Sequence, residues 1–266
     1  LLATIATALL MAGCASEPAQ VQLQGQTMGT AWTVRIAGIA GTEQTRLQSL
    51  LEARLDELNR HLSHYEPDAE VSAFNQQKDT AWFKVSADLA TVIEQALRVS
   101  AASDGAFDIT VAPAADAWGF GPTAATGQAP DGTTLQSARD HSGYRKLELR
   151  DDQSAIRKLD PLIRLDLSAI AKGYAVDQLA YLLENLGMHD YMVEIGGEVR
   201  TAGERPDGKG WRIGIESPNN ALPIQYVVAP GNAAIATSGN YRNYYMLDGK
   251  RISHTIDPGT AMPVNN

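Results

Sequence analysis

A chain of 266 residues, 44% apolar and 20% charged, has the makeup of a globular protein with a sizeable core, not of a disordered or fibrous one. Its formal net charge of −9 comes with no basic block, which argues against nucleic acid as a partner. Phosphate-loop and zinc-ligand patterns are absent too, and Gly119 and Gly121 sit in GFGP, where Pro122 argues against a dinucleotide-binding turn.

The first fourteen residues, LLATIATALLMAGC, are apolar but too short to cross a bilayer. No Met starts them and no basic residue precedes them, so the natural N-terminus is expected further upstream. Two readings fit: a signal peptide with an incidental cysteine, or a bacterial lipoprotein signal in which Met11-Ala12-Gly13 precede a lipidated Cys14. Cys14 is the only cysteine and stands at the place the second reading requires, which favours it. Residues 15–24 (ASEPAQVQLQ) then read as a solvated tether, and 25–266 as the folded domain of an exported, lipid-anchored protein without disulfides.

Along the domain, Thr33–Ile36 reads as a strand. Leucines at 47, 51, 55, 58 and 62 predict an amphipathic helix from Thr45 to Leu62, with Leu50 beside the stripe. Ser86 is a candidate N-cap for a second helix through Leu89, Val92, Ile93, Ala96 and Leu97. Phe107–Val111 alternates as a strand, and the Gly-, Thr-, Ala- and Ser-rich segment 121–142 reads as a loop. Ile163–Leu167 is strand-like, followed by a helix over about 169–186 that stops at Gly187. Strand-like runs at Tyr191–Ile195, Trp211–Ile215 and Ser253–Asp257 complete the pattern. Helices and strands intermingle without a strict βαβ rhythm. The predicted class is therefore α+β, with mixed, largely antiparallel sheets packed against helices.

Three stretches could carry chemistry. In IRLDLSAIAKGYAVD (163–177), Asp166 ends a strand, a helix N-terminus follows, and Lys172 stands one turn in, which suits a phosphate. A helical glycine costs about 1 kcal/mol relative to alanine, and tight packing is the plainer explanation for Gly173. In GAFDITVAPAADAWGFGP (105–122), Asp108 and Thr110 would lie on an exposed strand face, while Phe107, Trp118 and Phe120 suit either a core or a flat ring. In EIGGEVRTAGE (194–204), the paired glycines mark a turn or a close backbone approach to a ligand. Singly, none of these is specific.

Taken in order they are. MGTAWTV (28–34), SHYEPDAEVSAFN (63–75), the three stretches above and AIATSGNYRNYYMLDGKRISHTIDP (234–258) closely resemble the ApbE family of FAD:protein FMN transferases, over nearly everything after the tether. The resemblance implies an ApbE-like fold and a periplasmic lipoprotein. It implies an enzyme that cleaves FAD at its pyrophosphate, joins FMN through a phosphoester to a Thr or Ser of an acceptor protein, and releases AMP. Subunits of membrane redox complexes are the implied acceptors, and Mg²⁺ the implied cofactor.

Residue by residue, the resemblance puts FAD contacts on Met28, Tyr65, Ala106, Phe107, Asp108, Asp166, Lys172 and Ile256, and a metal-binding backbone carbonyl on Ala169. Lys172 stands where some members carry an acid, so its role is open. The family's other metal ligands fall beyond residue 266, so a chain ending there is expected to be impaired, with the domain's C-terminal part missing. Ala261 replaces the glycine of the family's DPxTGxP turn. His254 is the expected general base; on periodicity alone it would be a core histidine bonded to a carbonyl, and the resemblance reverses that choice. It would share a strand face with Ile252 and Ile256, opposite Asp257. A hydrolase giving FMN and AMP, or a non-catalytic flavin-binding lipoprotein, are the alternatives.

Overall fold

The computed structural model describes residues 20–122, 127–218 and 224–264. The signal segment, Cys14 and half of the expected tether lie outside the described residues. Strands β1 (Gln20–Thr27) and β2 (Thr30–Ala37) make a hairpin closed by Met28 and Gly29, both at positive φ (48° and 72°), so part of the expected tether is strand. Helix α1 (Gln44–Leu62) buries the five predicted leucines and leaves Leu50 largely outside. After α2 (Glu70–Gln76) and β3 (Phe83–Lys84), α3 (Ala87–Ala102) starts where expected: the Ser86 hydroxyl accepts the Leu89 N–H.

The middle of the chain adds α4 (Ala112–Ala117), α5 (Gly132–Asp140), β4 (Leu147–Leu149), β5 (Ala155–Lys158) and α6 (Ala171–Asn185). Strands β6 (Tyr191–Ile195) and β7 (Glu198–Ala202) follow, then β8 (Ile213–Ile215), β9 (Tyr226–Val228) and β10 (Ala233–Ile235). The described part closes with β11 (Tyr244–Leu247), β12 (Lys250–Ser253), β13 (Ile256–Asp257) and β14 (Met262–Pro263).

The main sheet runs β1-β2-β6-β7-β10 with every neighbouring pair antiparallel, and a smaller sheet runs β3-β5-β4. Alternation sends Val21, Leu23, Trp32, Val34, Ile36, Tyr191, Val193 and Ile195 into one core, which α1 and α6 cover. The α+β class and its antiparallel sheets are as predicted.

One polar knot ties the helices together. The Asp88 carboxylate on α3 accepts Arg54 of α1 through both terminal nitrogens (2.9 and 2.6 Å), His61 Nδ1 of α1 (2.9 Å) and the Tyr174 hydroxyl of α6 (2.7 Å). Arg54 also donates to Gln178 of α6 at 2.8 Å. A buried carboxylate is tolerable only when so thoroughly partnered. Burial alone would raise the Asp88 pKa, but the hydrogen bonds from Arg54, Tyr174 and His61 outweigh it and hold it at about 2.

Four sequence expectations need correction. Phe107–Val111 is no strand: Asp108 caps a 3-10 turn over Ile109–Val111 that leads into α4, and the side chain of Asp108 is buried, not on an exposed face. Segment 121–142 contains α5, capped by Asp131, because a nine-residue helix with one buried alanine carries almost no apolar stripe. Only Ile213–Ile215 of the expected 211–215 strand pairs, and Trp211 instead packs with Met192 and Val199. A Cβ on Gly173 would meet nothing within 4 Å, so tight packing does not explain that glycine.

Because the folded-state pKa of Asp88 lies below the unfolded value of 3.8, its stabilising share is present above pH 4 and is lost as pH falls toward 2. That share is about 2 kcal/mol. The Asp88→Asn variant should melt well below the wild type at pH 7 and close to it at pH 2.5; a gap of the same size at both pH values would contradict this.

Candidate functional site

The site is built around Ile163–Leu167, which is extended and alternates as expected, with Ile163, Leu165 and Leu167 buried, yet belongs to no sheet. Side chains supply the missing ladder. Asn75 brackets Leu165, accepting its N–H at 2.7 Å and donating to its carbonyl at 2.9 Å. Lys158 Nζ donates to the Ile163 and Phe74 carbonyls (3.1 and 3.2 Å), and the Asp166 N–H donates to Ile109 O (2.8 Å). Lys158 has no exposed surface, and burial pushes its pKa down to about 8.

Asp166 thereby reaches the foot of α6 with its carboxylate accepting the Ser168 N–H at 2.8 Å. His64 Nδ1 lies 3.6 Å from the same oxygen. Ala169 is exposed, and among the described residues its carbonyl takes no backbone hydrogen bond, whereas Leu167 and Ile170 supply the first acceptors of α6. Lys172 does not stand free: its ammonium lies between both Glu198 oxygens (3.1 and 2.9 Å). That pair rests on the Gly196-Gly197 turn, both glycines at positive φ. A Cβ on Gly196 would come within 2.7 Å of the Thr30 methyl and 3.3 Å of Lys172 Cδ, so the turn needs its glycine.

In the second stretch, Asp104 and Gly105 make a turn at positive φ. Ala106 is exposed and Phe107 packs on the rim of the core, as does Met28. The Asp108 carboxylate is fully engaged, one oxygen accepting the Thr110 N–H and hydroxyl (2.8 and 2.7 Å) and the other the Tyr144 N–H (2.7 Å). Here it is a brace between two loops.

An aromatic patch lies around Phe120. The half-exposed Tyr65 donates its hydroxyl to Phe120 O at 2.9 Å. Phe120 lies 5.4 Å from the Tyr245 ring and edge-on to His254 at 6.3 Å, centroid to centroid. Burial, followed by the negative charge of Asp166, raises the Tyr65 pKa, with the Ser168 hydroxyl opposing and Asp116 adding; the phenol stays protonated as a donor.

His254 is placed differently from expectation. The run Ser253–Asp257 breaks at His254, between β12 and β13, so the histidine does not share a continuous strand with Ile252 and Ile256. Its backbone N–H and its Nδ1 both point at one acceptor, Asn243 O (3.3 and 3.0 Å). A carbonyl only accepts, so in the neutral ring Nδ1 carries the proton and Nε2 keeps its lone pair. Half-buried beside Phe120, the ring is bonded to a carbonyl but does not lie in a core. Ile256 turns away into a small cluster with Ala114, Ala138 and Ala261.

The structure therefore brings Tyr65 and Asp166 together and links Tyr65 to His254 through Phe120. Met28, Lys172, Asp108 and Ile256 sit at other points of the same framework. Nothing in the sequence marks His64, Asn75, Lys158 or Tyr245, since no periodicity marks a loop or a buried cation, and Phe120 suits core or ring equally.

Among the described residues, Glu57, His61 and Asp88 come close enough to suggest a metal site. Arg54 already lies between Glu57 and Asp88, and a cation cannot share that place with a guanidinium. A cleft of about 550 Å³ beside α6, β7 and β10 is lined by Asp177, Glu184, Arg200 and Asn232, and by none of the candidate residues. Its Arg200 is bonded to Asp177 and Glu184 (2.9 and 3.1 Å).

Comparison with known proteins matches residues 28–266 to the sequence profile of the ApbE family. This chain belongs to the ApbE family. A Vibrio cholerae protein named FAD:protein FMN transferase is 41% identical over 267 residues, covering 100% of this chain and 79% of that one. A Salmonella typhimurium protein of the same name is 37% identical over 272 residues, covering 98% and 78%. Among solved structures, the flavin transferase ApbE of Vibrio cholerae superposes with a TM-score of 0.86 at 40% identity, over 94% of this chain and 79% of that one. The apo flavinyl transferase ApbE of Pseudomonas stutzeri gives 0.84 at 34%, over 94% and 78%. The fold is thus an ApbE fold.

Where the ApbE pattern has glycine, Ala261 takes a left-handed conformation (φ 56°), with its carbonyl accepting Trp118 Nε1 at 2.8 Å. Left-handed geometry costs a residue with a Cβ about 1 kcal/mol. Ala261→Gly should therefore raise the melting temperature by about 2 °C. A lower melting temperature would mean that the buried methyl, packed near Ala114 and Ala138, outweighs the strain.

Proposed function

We propose that this protein transfers FMN from FAD to a Thr or Ser hydroxyl of an acceptor protein, and that Mg²⁺ assists the reaction. The observation that carries the reading is the geometry of His254 within an ApbE fold: Nδ1 is committed to a carbonyl, leaving Nε2 as an acceptor beside the half-buried ring of Phe120. The hydroxyl oxygen attacks the phosphorus on the FMN side of the pyrophosphate as its proton passes to His254 Nε2. The bond from that phosphorus to the bridging oxygen breaks, and AMP leaves with that oxygen.

The chain's own residues bind and orient the substrate. Tyr65, kept as a neutral phenol, offers a flat face, and Asp166 stands beside it at the foot of α6. Contacts from Met28, Ala106, Phe107, Asp108, Lys172 and Ile256 to FAD are carried over from the family pattern; at Asp108 the contact falls to the main chain, since its carboxylate is engaged. Lys172, paired with Glu198 beside the Gly196 turn, is the cation this corner offers to the pyrophosphate. The carbonyl of the exposed Ala169, without a backbone donor among the described residues, fits a hard oxygen ligand for Mg²⁺. Bound there, the ion would neutralise charge on the pyrophosphate.

Full-length protein incubated with FAD, Mg²⁺ and a candidate acceptor, a subunit of a membrane redox complex, should add one FMN to the acceptor by mass, and chelation should stop it. Free FMN and AMP without that gain would mean hydrolysis, and intact FAD would mean binding only. His254→Ala should lower transfer by about 10²- to 10⁴-fold while FAD binding persists; unchanged turnover would remove His254 as the base.

The lone Cys14 after an apolar run supports a lipid anchor on the periplasmic side of a bacterial membrane. Mass spectrometry of the mature protein should find Cys14 as its N-terminal, lipid-modified residue; an unmodified Cys14 would refute the anchor.

A further inference from the structure

We propose that His64 is a positioning residue of the flavin site, fixing the Asp166 carboxylate and the Tyr65 ring in the arrangement that receives FAD. The inference rests on the reading of Asp166 and Tyr65 as FAD contacts. His64 follows the end of α1, and its side chain is 6% exposed whereas its neighbour Tyr65 is 51% exposed, so the loop sends one ring inward and the other out. The two rings face each other at 4.2 Å between centroids, tilted by 40°. The imidazole thus backs the tyrosine from the protein side.

Its nitrogens are unequal. Nδ1 lies 3.6 Å from Asp166 Oδ1, and Nε2 is buried with no partner among the described residues. An unpartnered buried nitrogen weakens a fold, so an aliphatic or phenyl side chain would serve stability better in this place. Among the described residues, the one charged group in ion-pair range of the ring is the Asp166 carboxylate. A carboxylate only accepts, so Nδ1 faces it as the donor. At 3.6 Å the contact is too long for a formed hydrogen bond but close enough to steer the charge, and such contacts tighten when substrate fills a site.

Asp166 is otherwise fixed through backbone atoms: its own N–H is bonded to Ile109, and its carboxylate accepts the Ser168 N–H. Among the described residues, His64 is the only side chain in ion-pair range of that carboxylate. Loss of His64 should therefore disturb ligand binding more than folding, the reverse of what a space-filling residue would do.

The test is FAD affinity, read by flavin fluorescence on the full-length protein, paired with melting temperature. His64→Phe keeps a ring behind Tyr65 but removes the donor; His64→Asn returns a donor near the position of Nδ1. His64→Phe should weaken FAD binding about five- to tenfold with an unchanged or higher melting temperature. His64→Asn should bind within about twofold of wild type, and Asp166→Asn combined with His64→Phe should bind no more weakly than Asp166→Asn alone. Unchanged FAD affinity in His64→Phe, with Asp166→Asn impaired, would overturn the proposal. So would equal losses in His64→Phe and His64→Asn that track the melting temperature. Full FAD affinity in Asp166→Asn would instead overturn the reading of Asp166 on which the proposal rests.

Discussion

Buried backbone must be hydrogen-bonded, and Ile163–Leu167 meets that demand without a neighbouring strand. Its apolar side chains are committed to the core, so its polar main chain has to follow them inside. The amide of Asn75 mimics a partner strand at Leu165, and the ammonium of Lys158 closes off Ile163 and Phe74. From that fixed stretch α6 departs, and Asp166 and Ala169 are held at its foot. The rest of the architecture gathers around this constraint: Asp88 and Arg54 clamp α6 to α1 and α3, and Glu198 tethers Lys172 to the sheet.

Two kinds of polar group result, and they differ in purpose. Asp88 and Asp108 are saturated by donors and act as braces. Asp166 has one carboxylate oxygen taken up by Ser168 and approached by His64, and His254 has one ring nitrogen committed and the other without a partner among the described residues. Unfinished hydrogen bonding beside an aromatic patch sets the corner proposed as the site apart from the braces.

Much of this was legible in the sequence because it depends on periodicity. The leucine stripe of α1, the Ser86 cap of α3, the strand Tyr191–Ile195 and the alternation of 163–167 all follow from spacing. What was not legible depends on atoms distant in the chain. Phe107–Val111 alternates like a strand, but the Asp108 side chain captures the Thr110 N–H and starts a 3-10 turn, so a local side-chain bond overrides the pattern. Segment 121–142 hides α5 because its helix is mostly exposed. At the site, the resemblance singled out Tyr65, Asp166 and His254, but not His64 or Phe120, whose roles arise only when α1's end, the 105–122 stretch and the last hairpins meet.

The bond between His254 and Asn243 has a consequence for how this corner tolerates change. Both the main-chain N–H and the ring of His254 answer to a main-chain carbonyl, so the tautomer is set by the trace of the backbone and not by any side chain at position 243. Substitution there leaves the acceptor in place. The sensitive element is the β11–β12 hairpin between them, turned through Asp248 and Gly249 at positive φ, because adding or removing one residue would shift the register and carry the carbonyl away from the ring. Natural drift at 243 can therefore be wide while the length of this hairpin is held.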